Sequence, residues 1–499
     1  MWVFTYKFDE DGYLYKFKAR ICVQGDLQEA WGETYAATLA IKVFRALIAL
    51  AAAFDLQMFQ FDAMNAFLNA RLPRKIYCRT PEGFADELGE LLELQRALYG
   101  LKEAPLLWYQ ELSSTLQKLG LKPVPGAPCL YTNDKLIVFF YVDDIVVLVH
   151  PLNMSYYQTF KQQMLATYEI RELGELKWFL GIRVIREELS RSIHLIQDSF
   201  IDKIATRFDL RSSMRYPDVP LRDNVLLPST EEPNAARTQR YQQLVGSLAY
   251  ISTSTRPDVA RAHSVLARHL QNPGQKHLYA ACHVWRYLIG TKDLAIRASA
   301  DMQQGITSIA MLSQQEHEPL FYSASDAAFA DEPETRRSSQ GYIFKLYGLP
   351  IDWKATVQRS VTKSTTEAEL LSLSTAGSEM EWWQRFFKAI QFDPEFTPAL
   401  WCDNQQTVSI ATKTADKLQT KLKHVDVHHQ WVRQEVAEGR LQIDWKPTAE
   451  MLADSLTKIL SQQRHANFVR QLGLSDLSSR LRDRSDSSLH IQSLTEQDI

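Results

Sequence analysis

At 499 residues the chain is long enough for three or four domains. Apolar residues make up 45% and charged residues 23%, with 19 glycines and 19 prolines, which excludes disordered, collagen-like and low-complexity classes. The formal net charge of −3 advertises no overall affinity for nucleic acid, so such a partner would have to be met by local positive surface.

Residues 1–24 alternate apolar and polar side chains on either side of Asp11-Gly12, a hairpin pattern. Residues 38–54 carry Phe44, Leu47 and Leu50 at helical spacing, and 56–61 reads as a strand ending in Asp62. A helix over 104–119 has Pro105 in its first turn. Two buried strands, 137–142 and 145–149, bracket Asp143-Asp144; a helix over 154–168 and an extended segment over 176–185 follow. Residues 211–237, with Pro217, Pro220, Pro228 and Pro233 among polar residues, have linker chemistry. Three helices are predicted over 238–252, 257–271 and 277–290.

A second β-rich block begins near residue 295 and runs to 353. A long helix (365–390), a strand (399–402), a short helix, a longer helix (425–438), a strand (441–445) and a helix (449–456) follow, the order of a separate mixed domain. The last 25 residues, rich in serine and charge, read as a disordered tail. The five cysteines (Cys22, Cys78, Cys129, Cys282 and Cys402) include no CxxC pair, which argues against a zinc site or a disulfide framework and fits a reducing compartment. No signal peptide and no apolar run long enough to span a bilayer is visible, so a soluble chain with no membrane partner is expected.

With no glycine-rich phosphate loop, the chemistry must come from carboxylates. Asp143-Asp144 between buried strands is costly unless a turn exposes the charges or a cation neutralises them. Asp62 could converge on the same rim. Three oxygen donors without His or Cys suit Mg²⁺ rather than zinc. A solvated hairpin turn is the alternative reading of Asp-Asp taken alone.

The surrounding residues favour the site. Tyr141-Val142-Asp143-Asp144 resembles the YVDD box of reverse transcriptases, and Phe61-Asp62-Ala63-Met64-Asn65-Ala66-Phe67-Leu68 resembles the first catalytic motif of the Ty1/copia class of retrotransposons. The blocks 98–105 and 173–182, Val245-Gly246-Ser247-Leu248 and Thr255-Arg256-Pro257-Asp258 match further blocks of that class in order. The resemblance implies that Asp62 and Asp143, with Asp144 adjacent, hold two Mg²⁺ ions, with Mn²⁺ as a substitute. It makes Phe67 the steric gate against ribonucleotides and Tyr99-Gly100 the nucleotide-pocket turn. Lys18 and Arg20 would be triphosphate contacts, and Trp178, Phe179, Leu180 and Gly181 the primer grip.

Four later acids recur in separate elements: Asp326, Glu369, Asp403 and Asp454, with Glu367 a competing choice for Glu369. Their order in a β-then-α/β block resembles ribonuclease H, and 336–342 is a further copia-class match. Here too the resemblance implies two Mg²⁺ ions. Lys413, Lys417, Lys421 and Lys423 form a basic cluster that is either a phosphate contact or a solvated face. His424 and His428 stand four apart with no third ligand, which favours a structural or substrate-contact role over zinc.

The expected fold class is multidomain α+β, a right-hand polymerase followed by a ribonuclease H-like mixed α/β domain. Residues 1–210 would be fingers, entered part-way, and palm; 211–300 linker and helical thumb or connection; 301–460 the ribonuclease H-like domain; and 461–499 a C-terminal helix and tail. The implied partners are an RNA template, a DNA primer, RNA–DNA hybrids and deoxynucleoside triphosphates, with integrase and capsid of the same element. Localisation by analogy is a cytoplasmic particle, the nucleus, or both. Gln24, Glu103 and Leu106 depart from the family pattern, and the last two are expected to weaken triphosphate binding. Two other readings fit the same residues: a degenerate relic that only binds nucleic acid, and a single-activity ribonuclease H whose first half is a clamp.

Overall fold

The computed structural model describes residues 1–8, 14–29, 32–84, 89–211, 215–222, 226–299, 320–394, 398–412 and 423–481. The Asp11-Gly12 turn, Lys413, Lys417, Lys421, the start of the 301–460 segment and the tail from 482 onward lie outside these residues, as do the side chains of Lys423 and His424. Contacts divide the chain into two compact units, Met1–Ala40 with Leu56–Leu176 and Ile41–Asp55 with Lys177–Ile499. Helix α1 (Ile41–Ala53) therefore belongs to the second unit. Among the described residues no helix is long and apolar enough to cross a membrane.

In the first unit β1 (Trp2–Phe8) and β2 (Leu14–Ile21) form an antiparallel ribbon. After β3 (Gln57–Ala63), β4 (Arg71–Arg79) and β5 (Leu91–Arg96) make a second ribbon. Then come α2 (Ala104–Lys118), β6 (Lys122–Pro123), β7 (Leu130–Thr132), β8 (Leu136–Tyr141), β9 (Asp144–Val149), α3 (Met154–Thr167) and β10 (Ile170–Glu175). The main sheet is antiparallel, in the order β10-β3-β9-β8-β7-β6. Ile145–Val149 are all buried because the strand is central and covered, which is why its sequence is a continuous apolar run rather than an alternating one.

The second unit begins with β11 (Trp178–Phe179), β12 (Ile182–Glu187), β13 (Ser192–Ile196) and α4 (Asp198–Arg207). Helices α5 (Ala235–Ser254), α6 (Ala260–Leu266) and α7 (Gln275–Gly290) pack with α4 around Tyr241, Leu248, Val265 and Trp285. The helix expected over 257–271 is broken: Pro257–Val259 and Ala267–His269 are 3-10 turns flanking α6, the first started by the proline. Strand β14 (Leu294–Ser299), expected to open the second β-rich block, instead pairs with β13.

A separate sheet contains β15 (Phe321–Ala328), β16 (Ser339–Leu346) and β17 (Leu349–Val357). Next in sequence are α8 (Thr365–Ala389), β18 (Ala399–Cys402), α9 (Gln405–Thr412), α10 (Lys423–Ala437) and β19 (Gln442–Trp445). The order is β17-β16-β15-β18-β19, antiparallel through the first three strands and parallel from β15 to β19. The helix expected over 449–456 is a 3-10 turn, Thr448–Glu450, followed by the one-turn α11 (Asp454–Thr457), with Met451, Leu452 and Ala453 buried between them. The C-terminal α12 (Gln462–Leu472) leads to β20 (Leu474–Asp476), which pairs with β14.

Helix α1 is buried from Val43 to Ala53, so the sequence stripe understates its environment. Its Arg45 stacks 3.9 Å over Trp353 and donates to the carbonyls of Ile351 (2.8 Å), Thr253 (2.5 Å) and Ser254 (2.8 Å). Burial pushes that guanidinium down to about 9, against the pull of Asp352. Carbonyl dipoles thus satisfy a charge that burial would otherwise make prohibitive.

Candidate active sites

The first carboxylates stand where strand register places them. In the β3–β9 ladder Asp62 lies opposite Asp144, and β8 turns into β9 through Val142 and Asp143. The Ala63 N–H donates to the Asp143 carbonyl at 2.9 Å, tying the turn to β3. Val142 has φ +57°, a left-handed conformation that a β-branched residue adopts only under constraint. The constraint is visible: Trp108 Nε1 of α2 donates to the Val142 carbonyl at 2.6 Å.

All three aspartates are half-buried. Burial, and then the neighbouring Asp143, push Asp144 up to about 6, although Gln60 Nε2 donates to its Oδ1 at 3.2 Å. Proximity of like charges is the cost of this arrangement.

Around the turn stand residues expected to bind nucleotide. The rings of Phe67 and Tyr99 meet edge-to-face at 4.7 Å, and the Arg20 guanidinium lies 5.7 Å from the Tyr99 ring centre. The Tyr99 hydroxyl is pushed up by burial and by Asp143, which places it in the field of the same carboxylates. Gly100 has φ +92°, and a Cβ there would lie 1.9 Å from the Val23 carbonyl oxygen, so only glycine fits. Lys18 shares a face of β2 with Arg20, two residues away. Glu103 is not the free negative charge expected from sequence, since both its oxygens lie 3.2 Å from Arg74 Nη2.

The segment 178–181 belongs to the second unit. Trp178 is exposed, whereas Phe179 is buried 4.9 Å from the Phe44 ring. Leu180 and Gly181 both have positive φ, and the Tyr250 hydroxyl donates to the Leu180 carbonyl.

The second group of acids is tighter. One carboxylate oxygen each from Asp326, Asp403 and Asp454 lies within 4.8 Å of the others, and Glu369, Cys402 and Asp403 form an overlapping group at the same spacing. Asp326 sits inside β15, and Asp403 follows β18 directly. Asp454 opens α11 rather than lying within a longer helix.

Burial, opposed by Lys458 and Thr457, moves Asp326 up to about 6. Burial and the charges of Asp326 and Asp403 move Glu369 up to about 9, and its buried Oε2 has no hydrogen-bond partner. Oxygen donors that repel one another, one of them unpartnered, fit a hard divalent cation. Glu367 is spent elsewhere: its N–H donates to Ser364 Oγ (3.1 Å) and its carboxylate accepts from the Lys363 N–H (2.7 Å), capping α8.

Sequence reasoning missed Lys458, whose ammonium donates to Asp454, and Thr457, whose hydroxyl donates to Asp326. The Asp454–Lys458 spacing of four was the available signal. His428 is held by Ser374 of α8, with Nδ1 to Oγ at 2.7 Å, in keeping with a structural role.

Along the chain, an antiparallel sheet carrying Asp62 and Asp144 beside the Asp143 turn is followed by a five-stranded mixed sheet whose Asp326 is joined by Glu369, Asp403 and Asp454 from the elements next to it. Residues 1–220 match the family described as reverse transcriptase (RNA-dependent DNA polymerase). The chain is 31% identical over 481 residues to the retrovirus-related Pol polyprotein from transposon TNT 1-94 of Nicotiana tabacum, covering 93% of this chain and 34% of that one. It is 29% identical to the corresponding polyprotein from transposon RE1 of Arabidopsis thaliana, covering 95% and 31%. It is 30% identical to the putative transposon Ty5-1 protein of Saccharomyces cerevisiae, covering 64% of this chain and all of that one. The chain belongs to the copia-type reverse transcriptase family, and spans about a third of the length of the Pol polyproteins it matches.

Proposed function

We propose that the chain is an RNA-directed DNA polymerase with ribonuclease H activity. The observation that carries the reading is the ladder position of Asp62 beside the Asp143-Asp144 turn, with Phe67, Tyr99 and Arg20 gathered at the same place. Asp62 and Asp143 would hold Mg²⁺, with Asp144 adjacent, while Asp326, Glu369, Asp403 and Asp454 would hold it at the second site. When bound, paired ions of this kind activate a hydroxyl or water and stabilise the leaving oxygen of an in-line phosphoryl transfer.

The chain's own residues do the positioning. Arg20, with Lys18 on the same strand face, meets the triphosphate of a deoxynucleotide; Gly100 lets the Tyr99 turn of the nucleotide pocket close on Val23; and the Phe67 ring occupies the place of a 2′-hydroxyl. Trp178, Phe179, Leu180 and Gly181 orient the primer end. At the second site the rigid β15 and β18 fix Asp326 and Asp403, Glu369 reaches in from α8, and the substrate is the RNA strand of an RNA–DNA hybrid, recognised through its 2′-hydroxyls. Fingers, palm and thumb would lie in 1–210 and 211–300, and the ribonuclease H-like domain in 301–460.

The test is DNA-primer extension on an RNA template with Mg²⁺ and deoxynucleotides, comparing the chain with Asp143→Asn. Extension by the parent alone is expected. Failure of both to extend would reject the polymerase reading.

A further inference from the structure

We infer that Cys402, Glu369 and Asp403 form a site for a thiophilic divalent cation of the Zn²⁺ or Cd²⁺ class, sharing two carboxylates with the oxygen site proposed for Mg²⁺. The three donor atoms lie within 4.8 Å of one another. Metal–sulfur and metal–oxygen bonds of about 2.0–2.3 Å bring ligands within roughly 4 Å of each other, so the group needs to close by less than about an ångström.

A cysteine beside acids would not by itself make a site, but one further feature points to a ligand. Glu369 is 5% exposed and its Oε2 has no partner. Cys402 is fully buried at the end of β18, so its sulfur faces the same carboxylates away from solvent.

Two chemistries therefore meet at Asp403. On one side Asp326 and Asp454 offer only oxygen, which suits Mg²⁺. On the other Cys402 adds a soft donor, and thiolate selects Zn²⁺-class cations over Mg²⁺. Binding forms an Sγ–metal bond and releases the thiol proton to solvent; nothing is oxidised or reduced. A thiophilic ion that draws Glu369 and Asp403 towards Cys402 takes both from the oxygen set, displaces Mg²⁺ there and stops hybrid cleavage. This last consequence rests on the ribonuclease H reading; the metal site does not.

The experiment is titration of the metal-free full chain with Cd²⁺, read by the ultraviolet thiolate-to-cadmium charge-transfer band, in the parent and in Cys402→Ser. The other four cysteines remain in the variant, so the difference reports Cys402 alone, and Cys402→Ala serves if the serine variant does not fold. The parent is expected to show a band with one equivalent of Cd²⁺ that the variant lacks, and saturating Mg²⁺ is expected to weaken it. Equal bands in both proteins, no band in either, or a band that Mg²⁺ leaves untouched would overturn the inference.

In parallel, Zn²⁺ inhibition of Mg²⁺-supported hybrid cleavage is expected to weaken roughly tenfold or more in the variant, as loss of a ligand requires. Cleavage inhibited equally in both proteins overturns the inference and leaves the nuclease reading standing. A Cys402-dependent band with no cleavage does the reverse.

Discussion

Asp258→Asn tests the tie between the helical layer and the C-terminal helix. Arg256 and Asp258 are 1% and 0% exposed, with Arg256 Nε and Nη2 donating to the Asp258 carboxylate at 2.9 and 2.8 Å. The Tyr287 hydroxyl donates to the same carboxylate at 2.7 Å and lies 2.9 Å from His465 Nε2 of α12, while Arg256 also reaches the Thr291 carbonyl at 2.9 Å. Asparagine keeps the shape and removes the charge, leaving a buried guanidinium uncompensated, at a cost of about 3–5 kcal/mol.

Replacing both partners, with Arg256→Met and Asp258→Leu, removes the orphaned charge and is expected to restore at least about 2 kcal/mol of that loss. Urea unfolding followed by tryptophan fluorescence reads this directly, because Trp285 sits in the same core. Burial pushes the Asp258 pKa up, but Arg256 and Tyr287 together hold it below its ordinary value. Its contribution is therefore complete above about pH 4 and is lost as the pH falls through the depressed value. A single variant costing under about 1 kcal/mol, or a strictly additive double variant, would refute the reasoning.

Other outcomes follow from the same geometry. Glu367→Ala is expected to cost about 1 kcal/mol through the cap of α8 while leaving hybrid cleavage intact; Glu369→Gln is expected to fold and to lose cleavage by at least roughly a hundredfold. The reverse pattern would exchange their roles. Trp108→Phe removes the donor that holds the left-handed Val142, costing about 1–2 kcal/mol and lowering the extension rate; an unchanged melting temperature and rate would show the turn needs no such support.

Because folded Asp326 and Glu369 are raised, to about 6 and about 9, their contribution to stability of the metal-free chain is full below about pH 4 and is lost as pH rises through those values. Mg²⁺ uptake between pH 6 and 9 is thus expected to release protons and tighten with pH. Calorimetry in buffers of different ionisation enthalpy measures the protons, and a pH-independent affinity would contradict the assignment.

The features legible in the sequence were those carried by contiguous residues. The apolar runs around Asp143-Asp144 announced β8 and β9, and the strand 399–402 announced Asp403. Non-local pairing was not legible. Alternation in 294–299 marks a strand but cannot say that its neighbours are β13 and β20. Arg45 in an apolar helix gave no hint of the carbonyls of Ile351, Thr253 and Ser254, which lie more than 200 residues away in sequence. Glu103 read as an excess charge because Arg74, its partner, lies on a separate ribbon. The part played by Trp108 was not legible either, since nothing local reports where an indole N–H will find its acceptor.

The proposed function assigns two reactions to two independent carboxylate sites. The most direct measurement is a crossed comparison of Asp143→Asn and Asp403→Asn in one mixture containing a labelled DNA primer and a separately labelled RNA template. Asp143→Asn is predicted to leave the primer unextended yet shorten the RNA of a preformed hybrid, and Asp403→Asn to extend the primer and leave the RNA whole. Loss of both activities in either folded variant, or retention of both, would contradict it.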